Sequence, residues 1–337
     1  DGTIKIPEVK TLTIQCNGNA TLKRDSDNKS DVPLFLVDGG KLVIKSTGGT
    51  ITVDGSEIKV GRSAFVVGIT KKSSSDDGSI LELSNVTIKN CYSDNDIYGG
   101  AISFPRGEDF RPLHLLTMEN CVVENCRAPH GSAIYFRGNS MGRATVKNTI
   151  FRNCVAYGKN DKDGDDQGGT IRSNGGNGSI VIFEQCIFQG NRSGYRELST
   201  IRTDARCYGG AIYWNAAGDT STSANYSDPI DPTNTRAKMY IYDCQILDNI
   251  ATNRGGGIFN EAAMYIGTKY SGGYTTNRVS DTYSIKGTLI DGNIASGYTG
   301  SNPIENCGGG VVVPSYFGGA VESGDMDVSL KMGTGVF

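Results

Sequence analysis

Six segments of this chain share one pattern, and a repeat constrains the fold more than composition can. "SNVTIKNCYS" (84–93) leads to "GGAISF" (99–104), "ENCVVENCRA" (119–128) to "GSAIYF" (131–136), and "KNTIFRNCVA" (147–156) to "GGTIRS" (168–173). Three more copies follow at 184–193, 242–251 and 286–295, each ahead of its own Gly-rich strand. The third residue of each copy gives an anchor: Val86, Cys121, Thr149, Cys186, Cys244 and Thr288. Anchor spacing is uneven, so the motif is fixed and only the connections vary. That is the signature of a solenoid with insertions rather than of separate globular domains.

Within each copy, Val, Ile, Thr and Phe alternate with polar residues at period two, a strand signal that no helical periodicity contests. A short strand that can bury only one face must stack on equivalent strands. The expected result is a parallel β-helix in which each copy is one turn, with turns roughly 4.8 Å apart. The eighth motif position then forms a column: Cys91, Cys126, Cys154, Asn191, Asn249, Asn293. Asparagines at a bend tolerate left-handed backbone and satisfy neighbouring amides through side-chain ladders. Cysteines make a small core stack, expected to be mostly free thiols because in-register neighbours have poor disulfide geometry. Nine cysteines in a long chain do not read as a disulfide framework; Cys207 and Cys307 fall in loops outside the column. Residues 1–83 read as earlier turns with a weaker motif ("TLTIQCNGNATLKRD", "LFLVDGGKLVIKST"), with 1–10 the candidate cap, and 84–313 as the six motif-bearing turns. Residues 314–337 read as a truncated last turn. The whole of 1–337 is one domain of roughly nine to eleven turns. The start at Asp1 and the strand-like ending "SLKMGTGVF" suggest a processed segment of a longer chain.

Composition agrees where it bears on this. Hydrophobic residues make up 37%, low for one large core but suited to an elongated one. A net charge of -3 from 33 basic and 36 acidic residues gives no reason to expect a nucleic-acid partner. No apolar run is long enough for a transmembrane helix, so membrane insertion of this segment is not expected. The Gly pairs lack the Lys-Ser/Thr of a phosphate loop, and no GxSxG, HExxH or Cys–His arrangement is convincing.

The strand-rich beginning followed by repeated "F-x-N-C-x-A … GGAI" resembles the right-handed parallel β-helix domains of secreted and surface proteins, the pectate-lyase-like superfold. The repeat is also similar to that of the chlamydial polymorphic outer-membrane proteins and of adhesin-like bacterial surface proteins. The resemblance covers nearly the whole chain. It implies a right-handed β-helix and a secreted or cell-surface location. It does not fix function, since this superfold hosts lyases, glycosidases, adhesins and tailspikes.

Long connections are where function concentrates: 157–167, 194–208, 215–237 and 261–283. Carboxylates precede several Gly pairs: Asp94 and Asp96, Asp163, Asp165 and Asp166, Asp204, and Glu305. In register they would crowd one corner, and glycoside hydrolysis needs two carboxylates about 5–9 Å apart. If the chain is an enzyme, the candidates are Asp165, Asp204, Asp96 and Arg206, and a glycoside hydrolase is favoured over a polysaccharide lyase. A lyase would instead use calcium-bound acids and an Arg such as Arg172, Arg202 or Arg206. Asp-Gly-rich loops are also plain turn formers. Asp161, Asp163 and Asp165 share the alternate spacing of calcium loops. Asp166 replaces the required Gly and no Glu follows at position twelve, so this is no EF-hand. A looser calcium site stays open, and no cofactor is required.

Aromatic residues gather in the second half of the chain. Trp214, the single Trp, and Tyr195, Tyr208, Tyr213 and Tyr270 are the expected ligand contacts. The expectation is an extracellular, adhesin-like module recognising a glycan or host surface protein through 194–283, with a glycan-cleaving enzyme as the alternative.

Overall fold

A computed structural model describes residues 2–25, 31–68, 78–95, 99–105, 114–137, 141–158, 168–174, 179–202, 207–215, 238–260, 263–267, 274–275, 284–285, 288–295, 309–312 and 320–322. Among these the chain is all β, with no helix.

One repeat shows how the sequence winds. Strands Ile80–Ser84, Val86–Lys89, Tyr92–Ser93 and Ile102–Phe104 follow each other in the chain but enter four different sheets. The next four, His114–Glu119, Val122–Glu124, Arg127–Ala128 and Ile134–Phe136, pair with them in parallel and in order. Every repeat thus adds one strand to each of four walls, taken here in chain order as walls one to four. Among the described residues they hold nine, eight, seven and nine strands, at the low end of the expected nine to eleven turns. The arrangement is compatible with a parallel β-helix. Two antiparallel hairpins interrupt it, Tyr195–Glu197 with Thr200–Ile201 and Tyr274–Thr275 with Ser284–Ile285.

The corners explain the motif. The residue before each of the first five anchors is left-handed: Asn85, Asn120, Asn148, Gln185 and Asp243 have φ between 45° and 55°. Five residues on, Asn90, Asn125, Asn153 and Asp248 do the same, with Gly190 and Gly292 in the remaining copies. Asn, Asp and Gly recur because they bear this backbone at little cost. The left-handed residue is therefore the one before the Cys/Asn column. The column asparagines instead turn inward and bond their neighbours, as a ladder should.

Inside the walls, side chains stack rung on rung. Phe35 lies on Phe65 at 5.0 Å, Phe104 on Phe136 at 5.3 Å and Phe151 on Phe188 at 5.0 Å between ring centres. Each buried Phe is worth roughly 1.5–3 kcal/mol, and each ring pair about 0.5–1.5 kcal/mol more. Wall-one strands alternate between buried and partly exposed residues, as in Leu42 and Ile44 against Lys41, Val43 and Lys45. Wall four is different from Phe65–Val67 onward: Ile102–Phe104, Ile134–Phe136 and Ile258–Asn260 are buried at every position, so its outer face is covered there as well.

Cys16, Cys91, Cys121, Cys126, Cys154, Cys186, Cys207 and Cys244 are all free, and all but Cys16 are buried. At the N-terminal end, Ile4–Pro7 is itself an edge strand, paired in parallel with Phe35–Asp38 and tied to it by Lys5–Asp38 at 2.8 Å. The expected cap is thus part of wall four.

Candidate functional site

Two outer surfaces hold the candidate residues. The first is the corner between walls three and four, where several long connections leave. Tyr157 anchors it. Its hydroxyl donates to the Ser93 carbonyl at 3.0 Å, and its ring meets Tyr92 edge-on at 6.0 Å. Burial raises the Tyr157 phenol, Tyr92 and Asp94 push it further up, and Arg202 pulls the other way. The hairpin from Tyr195 to Ile201 folds back over this corner. Arg202, just after it, is buried and donates to the carbonyls of Tyr157 at 2.6 Å and Gly158 at 3.2 Å. Glu197 reaches Arg127 at 3.5 Å. Asp94 pairs with Lys59 at 3.1 Å.

Arg202 therefore holds the backbone where the acidic connection begins, a task that ties up a side chain considered for base chemistry. Arg172 is tied up too. It is 2% exposed, with its guanidinium 5.3 Å from the Tyr135 ring centre and 5.1 Å from that of Tyr213. This stack on the outer side of wall four is a cation between two rings. Asp96, Asp161, Asp163, Asp165, Asp166, Asp204, Arg206, Tyr270 and Glu305 lie outside the described residues. Among the described residues no three His, Cys, Asp or Glu side chains form a group that could hold a metal ion.

The expected aromatic contacts need correction. Trp214 is 0% exposed and belongs to the core, in register with Ser173 and Asn260, so it offers no face to a ligand. The strand Ile212–Asn215 explains this: Ile212 faces in, and period two turns Trp214 in with it. Tyr213 faces out but is 3% exposed under the cover of wall four. Tyr195 is held in the hairpin at 9%. Tyr208 is half-buried and stacks on Phe259 at 4.7 Å.

The second surface is the outer face of wall one. In strands Lys238–Tyr242 and Ala263–Gly267, Met239, Ile241, Met264 and Ile266 fill the core, and Tyr240, Tyr242 and Tyr265 point the other way, partly exposed. Tyr240 stacks on Tyr265, its partner one rung on, at 4.7 Å and 10° between planes, with Tyr242 at 5.9 Å. Ile180 and Ile182, one rung before, are also partly exposed. Tyr240 and Tyr242 were not among the expected contacts. Their signal was the alternation in "KMYIYDC". By contrast, wall two is laced by its own charges: Lys89 faces Asp54 at 3.7 Å, and Arg152 donates twice to Glu124 at 2.8 and 2.6 Å.

Fold and surfaces together define an all-β chain of stacked parallel strands that carries a partly exposed tyrosine ladder. Models of known protein families, curated proteins and solved structures contain no match to it. No helix among the described residues is long and apolar enough to cross a membrane.

Proposed function

We propose that this chain is a right-handed parallel β-helix of the pectate-lyase-like kind that acts as an extracellular, adhesin-like surface module of a bacterium. Its target is a glycan or host surface protein, contacted through the region 194–283. The observation that carries this reading is the Tyr240–Tyr265 stack with Tyr242 beside it. A buried outer tyrosine is part of the scaffold, as Tyr213 is. Partly exposed ones in register offer apolar rings and hydroxyls together, the mixture that sugars and protein surfaces both accept. The right hand follows from the strong preference of parallel crossover connections.

The test is a glycan array with a parallel screen for released sugars. Binding without turnover, weakened by Tyr240→Ala, supports the module. Turnover abolished by Asp165→Asn or Asp204→Asn would make the chain a glycan-cleaving enzyme instead.

A further inference from the structure

At the first corner between walls one and two, an asparagine is followed by a glycine. Strand Thr11–Cys16 ends there, and strand Ala20–Lys23 begins after Asn17, Gly18 and Asn19. Asn17 is exposed. Gly18 has φ of 124°, and a Cβ built on it would meet no described atom within 4 Å. The backbone on either side is held to the next rung. The Cys16 carbonyl accepts from the Thr47 N–H at 3.1 Å, and the Gly18 carbonyl accepts from the Ser46 hydroxyl at 2.8 Å. Asn19 is held too, its Oδ1 accepting from the Thr50 N–H at 2.9 Å. The Gly18 N–H differs: among the described residues it has no hydrogen-bond acceptor.

Three other steps from Asp or Asn into Gly lie within the described residues, and each is protected. The Gly39 N–H donates to the Ser79 hydroxyl, the Gly55 N–H to the Lys89 carbonyl and the Gly292 N–H to Oδ1 of Asp291, all at 2.9 Å. Each of these glycines follows an aspartate, whose side chain has no amide nitrogen to lose. The left-handed corner asparagines, such as Asn85, Asn125 and Asn148, precede Val, Cys or Thr, each with a Cβ beside the backbone nitrogen that Gly lacks. Asn17 alone among these positions joins a side-chain amide to an unhindered, unbonded nitrogen.

We propose that Asn17 is a site of spontaneous deamidation. The Gly18 backbone nitrogen gives its proton to base and attacks Cγ of Asn17. A new N–C bond forms, the Cγ–Nδ2 bond breaks, and Nδ2 takes up a proton and leaves as ammonia. One water then opens the cyclic succinimide at either carbonyl, giving aspartate or isoaspartate. Water is the only co-reactant. The Thr47 hydroxyl lies 3.4 Å from Oδ1 of Asn17, the oxygen on which negative charge develops during attack. Either product adds a negative charge at the N-terminal end, and isoaspartate also adds one carbon to the backbone of the corner.

The experiment is incubation of the whole folded chain in mildly alkaline buffer, followed by mass spectrometry of the tryptic peptide Thr11–Lys23, which Lys10 and Lys23 bound. The expected result is the mass change from amide to acid at Asn17, with aspartate and isoaspartate forms that separate by chromatography. Its rate lies within about tenfold of the rate in a synthetic peptide of the same sequence. Asn17→Gln abolishes the change in this peptide, and Asn19→Gln leaves it. A rate more than about tenfold slower in the folded chain than in the synthetic peptide would mean that the corner protects Asn17, and would overturn the proposal. Acid formed at Asn19 instead, or persisting in Asn17→Gln, would overturn it as well.

Discussion

The side-chain amide of Asn249 donates to Oδ1 of Asn293, one rung away, at 2.8 Å. Asn191 in turn donates to Oδ1 of Asn249 at 2.9 Å through its side chain and at 3.0 Å through its backbone. Asn249 also donates to the Phe188 carbonyl at 2.9 Å. The ladder satisfies backbone groups at the corner such as the Asn191 N–H, and its members Asn191 and Asn249 are fully buried.

Removing one member of that ladder should therefore cost more than an average core polar change. Asn249→Ala leaves the buried Asn191 N–H without its partner and removes the side-chain donor to the Phe188 carbonyl, and a loss of about 3 kcal/mol is expected in urea unfolding. A loss under about 1 kcal/mol would mean that water enters the corner.

At Asn125 the backbone rather than the side chain is the issue. It is exposed, with φ of 55°. Asn125→Val should destabilise by about 1–2 kcal/mol, and Asn125→Gly should be close to neutral. Comparable urea midpoints for the two variants would refute the left-handed corner.

His114 makes stability depend on pH. Its Nδ1 accepts from the Ser79 N–H at 2.9 Å, and burial lowers its pKa from 6.5 to about 4. The folded state thus holds fewer protons than the unfolded state between those values. Stability is fully present above pH 6.5 and falls as pH drops toward 4, by about 3 kcal/mol in total. His114→Gln can still accept that hydrogen bond and should flatten this part of the curve relative to wild type. Parallel pH profiles for the two proteins would exclude the histidine as the cause.

Trp214 separates scaffold from site. Trp214→Ala should cost about 3–5 kcal/mol by emptying the core, whereas Trp214→Phe should fold and bind any array hit as wild type does. A folded Phe variant that no longer binds would return Trp214 to the ligand.

Tyr240 and Tyr265 should behave in the opposite way. Each Ala variant removes one cross-strand ring pair on a partly exposed face, a stability loss below about 1 kcal/mol. Ligand binding should fall about tenfold or more. Full binding by the folded double variant would move the contact surface elsewhere.

Much of the scaffold was legible because stacking converts sequence into space directly. Period-two strands, and a column running from Cys91 to Asn293, could be read once the copies were aligned. The column asparagines did form a ladder, although the left-handed backbone fell one residue earlier, at Asn153 and Asp248. The aromatic surface was harder to read. Alternation identifies the outside of a strand only when that outside is polar. In wall four Ile212, Tyr213 and Trp214 are all buried, so burial there does not follow the alternation, and the outward Tyr213 is as hidden as the inward Trp214.

The sequence by itself thus determined the repeat, its strands and the side-chain columns, because identical rungs must align to pair their backbones. Only the tertiary structure decided which aromatic residues meet solvent, placing Trp214 in the core and leaving Tyr240, Tyr242 and Tyr265 partly exposed. That choice depends on what covers each wall, and covering is a contact between distant segments that no local pattern encodes.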